Sequence, residues 1–82
     1  MIAVKTKSGS IYELDLKSNK IRRLIGERVS KHLGANGTWC TCKWILFFGK
    51  GHPLVVDWPD GMRLWTTEVV DVKEFDGPAE LW

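Results

Sequence analysis

The chain predicts a mainly β domain, a small SH3-like barrel or a strongly curved antiparallel sheet with one long loop or short helix. Three observations carry this. Apolar residues recur with a period of two through most of the 82 residues. Short turn signals of Gly, Asn and Pro separate the alternating segments. Only one stretch, 26–37, departs from strand patterning.

The elements follow in order. Segment 1–7 places Ile2 and Val4 on one face and Ala3 with Lys5 on the other. Lys7-Ser8-Gly9-Ser10 is a turn, with Gly9 supplying positive φ. In 10–16, Tyr12, Leu14 and Leu16 form a dry face against Ile11, Glu13 and Asp15. Asn19 suits the left-handed residue of the tight turn 17–20, and a third strand covers 20–25. Ile25, Val29 and Leu33 then sit at i, i+4 and i+8, which allows at most two helical turns before the loop Gly34-Ala35-Asn36-Gly37. A strong strand is expected over 38–48, with Cys40, Cys42, Trp44, Leu46 and Phe48 as an apolar even face. Gly49 to Pro53 breaks it. Strands at 54–58 and 62–67 flank the Pro59-Asp60-Gly61 turn, a last strand runs 69–75, and 76–82 is a tail. Residues 1–75 thus read as a single domain. Closing the sheet would hide its sticky edges, because 38–48 carries few guarding charges.

Composition narrows the function. A chain this short has a thin core, and five of its residues are Trp. Two or three of these rings are expected in the core and at least one exposed, where Trp recognises partners. Surplus aromatics on a small fold also predict a homo-oligomer, a dimer or higher. No apolar run approaches a membrane span, and the N-terminus lacks the pattern of a signal peptide. A cytoplasmic protein with reduced cysteines is expected. Charge is uneven: residues 1–50 hold ten Lys/Arg and three Asp/Glu, a net of +7, and 51–82 hold two and seven, a net of −5. The halves either pair across strands or leave one basic face.

The residues offer little catalytic chemistry. Cys40-Thr41-Cys42 with His32 and His52 is the one set with metal-ligand character. Zinc wants cysteines spaced around a turn, whereas C-x-C in a strand points both thiols one way, about 7 Å apart. Packed, reduced cysteines are expected, with no metal, no cofactor and no nucleophile. Gly49-Lys50-Gly51 is too short to cradle a phosphate. The chain is therefore read as a non-enzymatic binder.

Two candidate binding faces remain. Arg22, Arg23, Arg28 and Lys31, flanked by Lys17 and Lys20, form a basic cluster on what reads as an exposed hairpin and loop. Trp39 follows the loop and could stack on a base or sugar. The plainer reading is a solvated basic face. Trp58 and Trp65 flank the turn at 59–61, either as one ring capping the other or as an acidic, aromatic hairpin that docks on a protein.

The stretch Thr-Lys-Ser-Gly-Ser-Ile-Tyr-Glu-Leu-Asp-Leu from Thr6, Ile-Arg-Arg-Leu-Ile-Gly ending at Gly26, Pro-Leu-Val-Val-Asp-Trp at 53–58 and Thr-Thr-Glu-Val-Val-Asp-Val at 66–72 resembles a loose group of uncharacterised short proteins from actinobacterial phages and prophages. The group often has Ser-Pro where this chain has Thr67-Glu68. The resemblance implies a phage or host-cytoplasm setting and a stoichiometric binding role. On that basis the leading expectation is an accessory factor that blocks or sequesters a host protein. The competing expectation is a nucleotide or nucleic-acid binder using the basic hairpin and Trp39.

Overall fold

Seven antiparallel strands form one sheet that curls into a half-barrel in the computed structural model, which describes residues 1–27 and 30–74. The strands are β1 (Ile2–Thr6), β2 (Ile11–Asp15), β3 (Lys20–Ile25), β4 (Cys40–Thr41), β5 (Trp44–Phe47), β6 (Pro53–Asp57) and β7 (Arg63–Glu74). Their order is β4-β3-β2-β1-β7-β6-β5, so β4 and β5 are the two edges. Just over half of the described residues are strand and none is helical. Among the described residues no helix is long and apolar enough to cross a membrane.

The first three strands lie where their alternation predicts. The turns between them use the expected residues: Gly9 has φ +90° and Asn19 has φ +51°. Val4, Tyr12, Leu14 and Ile21 point to the concave side and meet Leu54, Val56, Trp58 and Val69 from the other half of the sheet. Leu16 was expected on that dry face. It is exposed, because β2 ends at Asp15 and the turn carries the side chain off the sheet.

β7 is where the expected pattern is first overturned. The two strands expected at 62–67 and 69–75 are one strand of twelve residues. Its first half pairs with β6 through Glu68, and its second half pairs with β1 from Val69 onward. One long strand therefore belongs to both halves of the curl. A register shift at Lys5/Thr6 and another at Pro53/Val55 fall near this crossover, where bulges bend a sheet.

The strand expected over 38–48 is the second correction. It is broken at Cys42-Lys43 into β4 and β5, which lie at opposite edges of the sheet. The Cys42 amide donates to the Asn19 carbonyl and the Lys43 amide to the Asp57 carbonyl, so consecutive residues tie to opposite halves. The chain crosses the open side of the half-barrel here. Cys42 is buried in the core and Cys40 packs beside it, but Trp44 and Leu46 do not share their dry face.

The excursion after β3 shows no helix among its described residues. Leu33 enters the core while Ile25, at the end of β3, is exposed, so the two do not share one helical face; Val29 lies outside the described residues. Side chains hold the loop instead. Asn36 Nδ2 donates to the Gly26 carbonyl at 3.0 Å, and Ser30 Oγ accepts from the Leu33 amide at 3.3 Å. The loop is clamped to the β6–β7 turn by His32, whose ring stacks on Trp58 with centroids 5.0 Å apart and whose Nε2 lies 2.7 Å from Asp60 Oδ2.

Candidate protein-docking face and the basic residues

The outer, convex side of β5–β6–β7 carries the main exposed aromatic surface. Directly opposed residues of an antiparallel sheet share a face. One row across the three strands is Trp44, Asp57 and Arg63, and the next is Phe47, Val55 and Trp65. The register shift between Ile45 and Phe47 brings Phe47, three residues from Trp44, onto the same face. Trp44, Phe47 and Trp65 are 54%, 62% and 60% exposed. Val55, between Phe47 and Trp65 in the row, is buried although it is not part of the concave core. On the opposite side of these strands Ile45, Val56 and Leu64 pack with the core.

A paired charge sits within this face. Arg63 grips Asp57 through both Nε and Nη2, the latter at 3.1 Å from Oδ2, a bidentate fork. The guanidinium also lies over the Trp65 ring, 5.9 Å from its centroid. The Arg63 hydrogen bond holds the Asp57 carboxyl below its ordinary 3.8. Asp60 is lowered in the same way by the His32 hydrogen bond, then by the Met62 amide. Carboxylates with depressed folded pKa values stabilise the fold above their unfolded pKa and lose that contribution as pH falls through the folded values. The urea midpoint of unfolding is therefore expected to drop below about pH 4. Asp57→Asn and Asp60→Asn should each flatten that acid limb; an unchanged limb in both would refute this origin.

The basic cluster expected from the sequence is divided. Arg22 and Arg23 leave β3 on opposite faces, opposed to Glu13 and Tyr12 respectively. Arg22 is not a free hairpin charge. Its Nη2 is 2.9 Å from Glu13 Oε1, and its guanidinium stacks on Trp39 at 4.6 Å. Glu13 is only 2% exposed, and its buried Oε2 has no hydrogen-bond partner among the described residues. Trp39 is half-buried by this stack. Arg23 turns the other way, and its Nε donates to Asn36 Oδ1 at 2.9 Å. Its stem lies against Gly26, where a Cβ would stand 2.5 Å from Arg23 Cδ. Lys31 is exposed, close enough to Asp60 for its charge to help lower that carboxyl. Arg28 lies outside the described residues.

Arg23 borders a cleft of about 460 Å³ between the end of β3 and the start of β7. Tyr12, Leu33 and Leu64 contribute apolar surface, and Ser8, Ser10 and Thr67 contribute hydroxyls. Thr67 Oγ1 and the two atoms of Ser8 bonded to it, its amide and its hydroxyl, already form a local network.

The Trp58–Trp65 pair also separates. Trp58 is 3% exposed and belongs to the core, stacked on His32, so it is not a docking residue. Of the other rings, Trp44 was placed on a dry face by its alternation and is in fact exposed, while Trp82 lies outside the described residues. Phe47 was likewise not singled out. No turn residue marks 42–43, so nothing local announced the break that turns both outward.

The cysteines are free, with the Cys42 thiol donating to the Asn19 carbonyl at 3.1 Å. Burial raises the Cys42 pKa, which suppresses its thiolate. In native protein a thiol reagent is expected to modify Cys40 well before Cys42, and both at full rate in urea. Equal native rates would contradict the burial of Cys42.

Comparison with protein-family models, curated proteins and solved structures yields no match.

Proposed function

We propose that the protein is a small non-enzymatic binding module, a phage-type accessory factor that acts in the host cytoplasm by docking on a host protein. The carrying observation is the outer face of β5–β7, where Trp44, Phe47 and Trp65 are all more than half exposed within two adjacent rows. Lone exposed apolar residues are ordinary, but a contiguous cluster marks an interaction surface. Large rings around a paired Arg match the make-up of energetic centres in protein interfaces. The neutral Asp57–Arg63 pair suits a protein surface better than a polyanion.

The nucleotide reading calls for Arg22, Arg23 and Trp39 on one surface. Arg22 and Arg23 face apart, and the charge of Arg22 is matched by Glu13. That favours the protein partner.

The test uses immobilised protein and host lysate. Wild type and Arg23→Ala are expected to retain the same host protein at physiological salt. Trp65→Ala should weaken that retention about 30-fold or more, as loss of a hot spot of about 2 kcal/mol does. Thermal unfolding of Trp65→Ala should stay close to wild type, because the ring is mostly exposed. Retention that ignores Trp65→Ala, or a steep salt-dependent capture of oligonucleotides by wild type, would overturn the proposal.

A further inference from the structure

We propose that the cleft bordered by Arg23 binds a small organic monocarboxylate with an apolar body, its carboxylate seated on the Arg23 guanidinium. The site belongs to the concave side of the sheet and goes beyond the docking role of the outer face.

The concave face is apolar up to this point. Ile2, Leu14, Ile21 and Cys40 form one row across β1, β2, β3 and β4, and all four belong to the core or pack against it. The next row runs Val72, Val4, Tyr12 and then Arg23. Opposed residues share a face, so a guanidinium stands where the pattern asks for another apolar side chain. Beside it the core gives way to the cleft of about 460 Å³. Protein interiors leave few voids larger than a water molecule, and small-molecule pockets span about 300–1,000 Å³.

Arg23 is also held in place. Its Nε donates to Asn36 Oδ1 at 2.9 Å. Its stem crosses Gly26, where a Cβ would stand 2.5 Å from Cδ and 2.9 Å from Nε. Gly26 has no positive φ, so the position uses the absence of a side chain, not a special backbone. A guanidinium fixed in advance loses little freedom when a ligand arrives.

The lining decides the class of ligand. Among the described residues that line the cleft, Arg23 is the one cation and Glu27 the one anion. The planar guanidinium fork matches a carboxylate, which it can bind through two parallel hydrogen bonds. One guanidinium balances one negative charge, and Glu27 opposes a second. Tyr12 and Leu33 are buried and Leu64 is half-buried, and together they offer walls for an apolar body.

Amide chemical shifts of the full chain, followed on addition of hydrocinnamate, test the site. Hydrocinnamate is expected to shift the amides of Gly9, Gly26 and Thr67 until they saturate. Acetate lacks the body and hydrocinnamyl alcohol lacks the charge, and each should bind about 10-fold more weakly or worse. Phenyl phosphate, with its second charge, should also bind more weakly. Arg23→Gln keeps an amide that can donate to Asn36 and removes the charge. It should bind hydrocinnamate no better than wild type binds the alcohol. Gly26→Ala keeps the charge and pushes the Arg23 stem aside, so it should lose affinity to a similar extent and decides the matter if Arg23→Gln does not fold. Hydrocinnamate that shifts no cleft amide at millimolar concentration, or only the amides of β5, overturns the site. Wild-type affinity in either folded variant overturns the role of Arg23. Phenyl phosphate that binds more tightly than hydrocinnamate overturns the monocarboxylate.

Discussion

Trp58→Ala is expected to cost about 3–5 kcal/mol, a large share of the total stability of a small domain. The ring is 3% exposed, lies among Leu33, Leu54, Val56 and Cys42 in the core, and stacks on His32 at an interplanar angle of 8°. Its removal leaves a cavity in a core too thin to close over it and frees the excursion loop from the β6–β7 turn. Urea unfolding followed by dichroism measures the loss. Trp58→Phe keeps a ring and should recover much of it. A loss below about 1 kcal/mol would show that Trp58 is a surface residue, as a docking role for that ring requires.

Strands bounded by turn chemistry were the most legible part of the fold. β1, β2 and β3 follow from alternation with Gly9 and Asn19 between them, and the turn at 59–61 has Gly61 at φ +87° as its residue order requires. Elements set by long-range pairing were not legible. The break at Cys42-Lys43 has no Gly or Pro; Cys42 bonds to Asn19 and Lys43 to Asp57, partners distant in the chain. β7 runs through Thr67-Glu68 because β6 ends where β1 begins along its length, which is a property of the whole sheet. The Ile25–Leu33 spacing suited a helix, yet Asn36 and Ser30 bond the backbone of the loop directly, an alternative to helical pairing that such side chains offer.

The candidate site was half legible for the same reason. Trp65 was legible as a candidate because it follows a turn in a segment that alternates, and it is exposed. Trp44 and Phe47 were hidden by the continuous apolar pattern of 40–48, which has one parity before the break and another after it. Phe47 joins the outer face only through the irregularity at Leu46. Arg22 and Arg23 read as one cluster because they are adjacent. Adjacency in a strand means opposite faces, and that period-2 rule was available from the sequence alone.

Arg22→Ala is expected to destabilise the protein by about 2–4 kcal/mol, against the first expectation that an exposed hairpin charge is dispensable. The size follows from what is left behind. Glu13 is 2% exposed, and Arg22 contacts it through Nε and Nη2 at one carboxylate oxygen. The other oxygen, Oε2, has no partner among the described residues. Removing the guanidinium strands a buried carboxylate with no other charge partner or hydrogen bond among the described residues, and it uncovers the face of Trp39. The figure lies toward and below the usual cost of breaking a buried pair because the Arg22 side chain is itself 29% exposed and solvent already screens part of the attraction. Replacing both partners separates charge stranding from packing. If the stranded charge dominates, Arg22→Ala with Glu13→Gln is more stable than Arg22→Ala alone, because the buried group is then neutral. If lost stacking on Trp39 dominates, the double variant gains nothing and Arg22→Met, which keeps an apolar stem over the ring, gains most. Urea midpoints of the four proteins decide between them, and an Arg22→Ala midpoint equal to wild type would remove the Glu13–Arg22–Trp39 row as a stabilising feature.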